Sequence, residues 1–172
     1  MFAIWVGTLV PIDRILVIVA PEGRESEAML RLARVGYENV SGYLEGGIAA
    51  WQAAGEKVQT ITSITPEAFA AAVNSGTSGR LVADVRRPGE FESGHVAGAA
   101  NICLSSFSAG VPAAVDKNQP YYIHCAGGYR SMIAASLLMA NGYTNFINVY
   151  GGWAKIKDTD VPVEIGSVVS LL

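Results

Sequence analysis

A chain of 172 residues with 51% hydrophobic and only 16% charged side chains is long enough for one ordinary domain, or one domain plus a fragment of another, and its composition excludes intrinsic disorder. A net charge of −3, with lysines and arginines scattered, gives no footprint for nucleic acid or an anionic membrane surface. The apolar stretch 2–20 is interrupted by Pro11, Asp13 and Arg14 well short of a membrane span, and the start carries no secretory signal pattern, so a cytoplasmic protein is expected. Two cysteines are too few for a disulfide framework, and two histidines without ligand spacing give no case for a metal site.

In chain order, residues 15–19 form a continuous apolar run, the pattern of a strand covered on both faces. A helical run follows, then a Gly-Tyr turn at 36–37 and a helix opening at Gly46-Gly47. Thr and Ser enter a short linker at 59–64. Thr65 is a good N-cap, with Pro66 at the first helical position and Glu67 in the first turn, and predicts a helix over 67–74. Residues 81–85 read as a short buried strand and 88–91 as a turn or short helix. A glycine-punctuated loop at 94–99 leads to a brief strand at 101–103, and 121–124 is the next strand. Met132, Ala135, Leu138 and Met139 repeat at helical spacing and predict a helix over 131–140, capped by Asn141-Gly142. A strand over 146–149 and a helix over 151–157 complete the series. Strands alternating with helices imply an α/β fold whose mainly parallel sheet is covered on both faces.

An internal repeat organises these elements. Ala20 aligns with Cys125 and Gly46-Gly47 with Gly151-Gly152 at one common offset, and Gly36-Tyr37 with Gly142-Tyr143 one residue further on. The second copy is preceded by 65–120, for which the first has no counterpart. The chain therefore reads as a partial unit (1–58), a linker (59–64), a complete unit (65–166) and a tail (167–172). Without a front half, the strand at 15–19 and the apolar segment 2–10 lack their usual cover. Three arrangements follow: packing on the complete unit, pairing with a second copy as a homodimer, or truncation of a longer parent chain.

The chemistry concentrates at His124-Cys125-Ala126-Gly127-Gly128-Tyr129-Arg130-Ser131. Two glycines between a strand end and a helix start let backbone N–H groups curl around one point, where the helix N-terminus adds partial positive charge. A thiol there is a nucleophile whose anion, and whose persulfide, the loop stabilises. Arg130 supplies positive charge at the rim, suited to an anionic donor or its leaving group. Cys125 is thus the candidate catalytic residue, and Ala126, Gly127, Gly128, Tyr129, Arg130 and Ser131 are the candidate substrate-binding loop. Four residues separate Cys125 from Arg130. Phosphate-handling cysteine loops have five, so the smaller loop favours a single sulfur atom over a tetrahedral oxyanion and disfavours a phosphatase or arsenate reductase.

These residues resemble the rhodanese (thiosulfate sulfurtransferase) family. The upstream stretch Asp84-Val85-Arg86-x-Pro88-x-Glu90-Phe91-x-x-Gly94-His95-Val96-x-Gly98-Ala99-x-Asn101 resembles a second family segment, in the right order. The resemblance implies a rhodanese-like three-layer fold, no cofactor, and transfer of sulfane sulfur from thiosulfate or a thiol persulfide to a thiol or cyanide acceptor. Residues 121–157 look most like the C-terminal rhodanese unit of bacterial fusions in which a metallo-β-lactamase-fold persulfide dioxygenase precedes a degenerate and then an active unit. The metallohydrolase domain has no counterpart here. The first copy has Ala20 for the nucleophile and Glu25 where Arg130 stands, and reads as structural.

Asp84 and Arg86 are expected as a structural ion pair supporting the site. His95 reads as a turn residue, Cys103 as a small core residue, and Trp5, Trp51 and Trp153 as packing. His124 precedes the nucleophile on a strand, where adjacent side chains point to opposite faces, and is a poor base for Cys125. The paired glycines read as helix-start turns, since neither matches a nucleotide-binding pattern. The competing function is a binding module whose thiol is idle.

Overall fold

The computed structural model describes residues 2–76 and 78–166, so the tail expected at 167–172 lies outside them. The chain divides into two compact units between Thr60 and Ile61.

The first unit runs α1 (Phe2–Leu9), β1 (Leu16–Ile18), α2 (Glu25–Ala33), β2 (Val40–Tyr43) and α3 (Gly47–Ala53). β1 and β2 pair in parallel as a two-stranded sheet. Its core is Ile18, Leu32 and Tyr37, against which Phe2, Val6, Val10, Leu16 and Ala20 pack. The apolar segment 2–10, expected to lack cover, is therefore a helix seated on this core and tied by the Tyr37 hydroxyl to the Val6 and Val10 carbonyls. The strand itself departs from expectation. Residues of the other parity, Ile15, Val17 and Val19, are 74%, 68% and 57% exposed. Phe2 and Val6 of α1 and Ala28, Met29 and Leu32 of α2 share a core with Leu16, Ile18 and Ala20, so an apolar run that reads as doubly buried is covered on one side only.

The second unit runs β3 (Ser63–Ile64), α4 (Pro66–Asn74), β4 (Leu81–Asp84), α5 (Pro88–Glu92), β5 (His95–Val96), β6 (Ala100–Asn101), a 3₁₀ helix (Leu104–Ala109), β7 (Tyr121–His124), α6 (Tyr129–Ala140), β8 (Phe146–Val149), α7 (Trp153–Ile156) and β9 (Val163–Glu164). Five strands form one sheet in the order β3-β8-β7-β4-β6, every pairing parallel. On one face Val82, Tyr122 and Val149 pack with Phe69 and Ala70 of α4, Phe91 of α5 and Ile156 of α7. On the other, Ala83, Tyr121 and Ile123 meet Phe107 of the 3₁₀ helix and Ala134 and Leu138 of α6. Alternation along the strands thus gives the three-layer α/β arrangement.

Local chemistry explains where elements begin and end. The Thr65 hydroxyl accepts the Ala68 N–H at 3.2 Å, the N-cap bond that starts α4. Both copies of the repeat stop their helix the same way. Gly36 and Gly142 take positive φ (89° and 76°), and the next residue, Tyr37 or Tyr143, donates its N–H to Leu32 or Leu138 at 3.0 Å.

Several assignments differ from the sequence reading. Ser63 and Ile64, assigned to the linker, pair with Asn148 and Val149 at the sheet edge. The loop at 94–99 holds β5, which pairs antiparallel with β9 through His95–Glu164 and Val96–Val163. The strand expected at 101–103 is Ala100–Asn101, set by its pairing with Ala83 and Asp84. The helix expected from 131 starts at Tyr129, while that expected from 151 starts at Trp153, because Gly151 and Gly152 have positive φ (73° and 57°).

Phe69 is fully buried and edge-on to Tyr122, with ring centroids 5.2 Å apart. Phe69→Ala is expected to lower unfolding free energy by about 3–5 kcal/mol in urea melts, and a loss below about 1 kcal/mol would contradict this account of the core.

Candidate active site

β4 and β7 lie side by side and parallel, with Asp84 opposite His124. Their carboxyl ends therefore deliver Asp84, His124 and Cys125 to one end of the sheet, where open α/β sheets bind their ligands. Cys125 is a free thiol and 1% exposed. Its Sγ accepts the Gly128 N–H at 3.1 Å, directly before α6. Gly128 has φ 98° and is the helix's N-cap residue, so this turn requires glycine. Gly127 does not have positive φ, and a Cβ there would meet nothing within 4 Å. Of the two loop glycines, only Gly128 is demanded by backbone geometry.

The remaining loop residues divide by role. Ala126 turns its carbonyl to the Ala154 N–H at 2.9 Å. Tyr129 opens α6 and is exposed. Ser131 is fully buried, and its hydroxyl donates to the Gly128 carbonyl at 3.1 Å, closing the loop on itself. Arg130, expected as a charge at the rim, is paired with a carboxylate. Its Nη1 and Nη2 donate to the two carboxylate oxygens of Glu90 at 2.6 and 2.7 Å. Glu90 also accepts the Arg87 N–H at 3.2 Å. The Arg130 fork is the chief reason the Glu90 carboxyl is held down at about 2.

A backbone clamp holds the loop. The Trp153 N–H donates to the Cys125 carbonyl at 2.7 Å beside the Ala126–Ala154 bond. The chain comes so close that a Cβ on Gly152 would lie 2.3 Å from the Cys125 oxygen. In the first unit a Cβ on Gly47 would lie 2.6 Å from the Ala20 oxygen. The repeated glycine pairs are helix starts, as expected, and their second members exist for this close approach.

Beneath the loop, Arg86 donates from Nε to both Asp84 carboxylate oxygens (3.0 and 2.8 Å), pairs through Nη2 at 2.6 Å, and donates to the Gly94 carbonyl at 2.7 Å. The pair is buried, and the guanidinium lies 4.7 Å from the Trp153 ring centroid. His124 is fully buried between Phe69 and Trp153. Its Nδ1 lies 3.4 Å from the Cys125 carbonyl, and its Nε2 has no hydrogen-bond partner, 3.8 Å from Asp84 Oδ2. Burial pushes the His124 pKa down; Asp84 opposes this and Arg86 adds to it. His95 is engaged elsewhere, stacked on Phe91 with centroids 3.6 Å apart. Cys103 lies 3.2 Å from the Ser105 hydroxyl. Among the described residues no cluster of three or more His, Cys, Asp or Glu could hold a metal ion, and no helix is long and apolar enough to cross a membrane.

Sequence reasoning gave no site role to Glu90, Gly152 or Ala154. Glu90 carries a local signal, a glutamate at the third position of a helix that starts with Pro88. Its partner stands forty residues on, where no period connects them.

The Rhodanese-like domain family matches residues 65–159. The chain is 42% identical to the uncharacterized protein YqhL of Bacillus subtilis over 72 residues, covering 42% of this chain and 56% of that one. It is 36% identical over 80 residues to the thiosulfate sulfurtransferase PspE of Escherichia coli, covering 46% of this chain and 73% of that protein. The chain spans about half the length of several other curated relatives it matches. A rhodanese-like domain protein of Staphylococcus aureus superposes with a TM-score of 0.54 at 31% identity, covering 62% of this chain and all of that one.

Two measurements probe the site's architecture. Gly152→Ala forces a side chain into backbone space that only glycine occupies and is expected to cost at least about 1–3 kcal/mol, whereas Gly127→Ala stays within about 0.5 kcal/mol of wild type; equal losses would contradict the clamp. Burial holds the folded His124 pKa below its ordinary value of about 6.5, so the unfolded chain takes up the proton first and stability falls as pH drops through that value. The melting temperature should therefore fall more steeply between pH 7.5 and 5.5 for wild type than for His124→Gln, and parallel curves would contradict the burial of a neutral imidazole.

Proposed function

The chain belongs to the rhodanese-like domain family, and we propose that it is a sulfurtransferase working through a persulfide on Cys125. The observation that carries this reading is the Cys125 Sγ accepting the Gly128 N–H at the start of α6, in a loop whose outer carbonyls are already bonded to α7. A donated N–H and a helix N-terminus both favour negative charge on that sulfur. In the first half-reaction the thiolate attacks the outer sulfur of thiosulfate or a thiol persulfide. A new S–S bond forms at Cys125, the donor's S–S bond breaks, and sulfite or a thiolate leaves with the electron pair. In the second, cyanide or a thiol takes the outer sulfur and returns the Cys125 thiolate.

His124 is not the base in this scheme, because its nearest ring nitrogen faces the Cys125 carbonyl and not the sulfur. The first unit has Ala20 at the nucleophile position and contributes no second site. A unit with the cysteine following one without it is the order that likens the chain to the rhodanese end of persulfide dioxygenase fusions, and it supports thiol persulfides among the donors. The name of PspE supports thiosulfate. A reducing cytoplasm is the setting in which two free thiols persist.

The 1% exposure of Cys125 favours one other reading, a binding module with an idle thiol. Incubation with donor separates the two. Intact mass should rise by one sulfur atom in wild type and not in Cys125→Ser. An unchanged wild-type mass across thiosulfate and thiol persulfides would leave the binding module standing.

A further inference from the structure

Thiosulfate and a thiol persulfide offer the same outer sulfur but different leaving groups. Attack on thiosulfate expels sulfite, a dianion, with the electron pair of the broken S–S bond. Attack on a thiol persulfide expels one thiolate, which the donor's own persulfide proton can neutralise. An unpaired guanidinium at the loop mouth favours the first, since it stabilises the sulfonate both on arrival and on departure.

Among the described residues, neither Arg130 nor Arg86 offers such a guanidinium. Both terminal nitrogens of Arg130 are taken by both oxygens of Glu90, with the arginine side chain 13% exposed and the glutamate 38%. Glu90 is fixed in turn by the Arg87 N–H at the start of α5. Arg86 is also committed, to Asp84 and the Gly94 carbonyl, with its side chain 3% exposed. Arg130 nevertheless stands in the first turn of α6, directly after the Gly128 N–H that bonds the Cys125 sulfur.

We propose that Glu90 sets the donor preference of this site: by neutralising Arg130 it disfavours dianionic sulfonate donors and leaves thiol persulfides of low charge as the substrate class. The inference rests on the sulfur-transfer reading above. Glu90 acts through Arg130, not on the reacting sulfur, and is a positioning residue. Glu90→Gln keeps the size of the side chain and an oxygen for the Arg87 N–H, but removes the charge that holds Arg130.

The test is the second-order rate of persulfide formation on Cys125 of the full chain, read by rapid quench and mass spectrometry with thiosulfate or cysteine persulfide as donor. Wild type should favour cysteine persulfide. Glu90→Gln should raise the thiosulfate rate constant about tenfold, leave that for cysteine persulfide within about twofold, and lose the gain when combined with Arg130→Gln. The freed cation should also make the thiosulfate rate fall with added salt, a response that a purely structural role does not produce. A donor ratio unmoved in Glu90→Gln, or both constants changed by one factor, overturns the role of Glu90. If the variant fails to fold by circular dichroism, wild type decides: a thiosulfate rate independent of salt supports the masked cation, and one that falls steeply with salt overturns it. Absence of persulfide with either donor overturns the sulfur-transfer reading itself.

Discussion

The hydrogen bond from the Trp153 N–H to the Cys125 carbonyl is the contact on which the rest of the site depends. A peptide unit is planar and trans, so a carbonyl fixed toward α7 sends the following N–H the opposite way. With the carbonyls of both Cys125 and Ala126 bonded to α7, the N–H groups of Ala126 and Gly127 point away from that helix. The clamp demands a residue without a Cβ at 152 and a positive φ there, which is why β8 is followed by a glycine turn before α7 begins. It also seats the Trp153 ring against the Arg86 guanidinium, over the buried Asp84–Arg86 pair. One backbone bond thereby ties together the segments after β4, β7 and β8.

The first unit keeps the close glycine approach of this clamp without the chemistry. Ala20 has replaced the nucleophile, yet Gly47 still approaches the Ala20 carbonyl as Gly152 approaches that of Cys125. The parallel strand pair and the glycine-tyrosine helix stop are kept as well. What differs is charge and reactivity at the loop: no thiol, and Glu25 in place of Arg130. The second unit adds two arginine–carboxylate pairs of different kind. Asp84–Arg86 is fully enclosed, so removing either partner would strand a buried charge. Glu90–Arg130 is partly open to solvent, where an ion pair contributes little to stability and can instead set the potential an incoming anion meets.

Much of this was legible in the sequence where the signals are local. Thr65-Pro66-Glu67 announces α4, the apolar runs of β7 and β8 coincide with the observed strands, and the glycines after Cys125 mark the turn into α6. Signals that depend on distant partners were not legible. The two-residue strands β3, β5 and β9 exist only because remote segments hydrogen-bond to them. Glu90 and Arg130 meet through the tertiary fold, and an apolar run such as 15–19 records which residues tolerate burial, not whether anything covers them. The paired glycines were visible as a repeat, but their reason lies in a carbonyl contributed by another segment.

If Cys125 is a sulfur carrier, the two half-reactions must separate in time. The direct measurement is to load the full chain with donor, remove all free donor by gel filtration, and then add cyanide alone. The account predicts stoichiometric thiocyanate, one per chain, with the protein mass returning to that of the free thiol. Thiocyanate formed only while donor and cyanide are present together would contradict it.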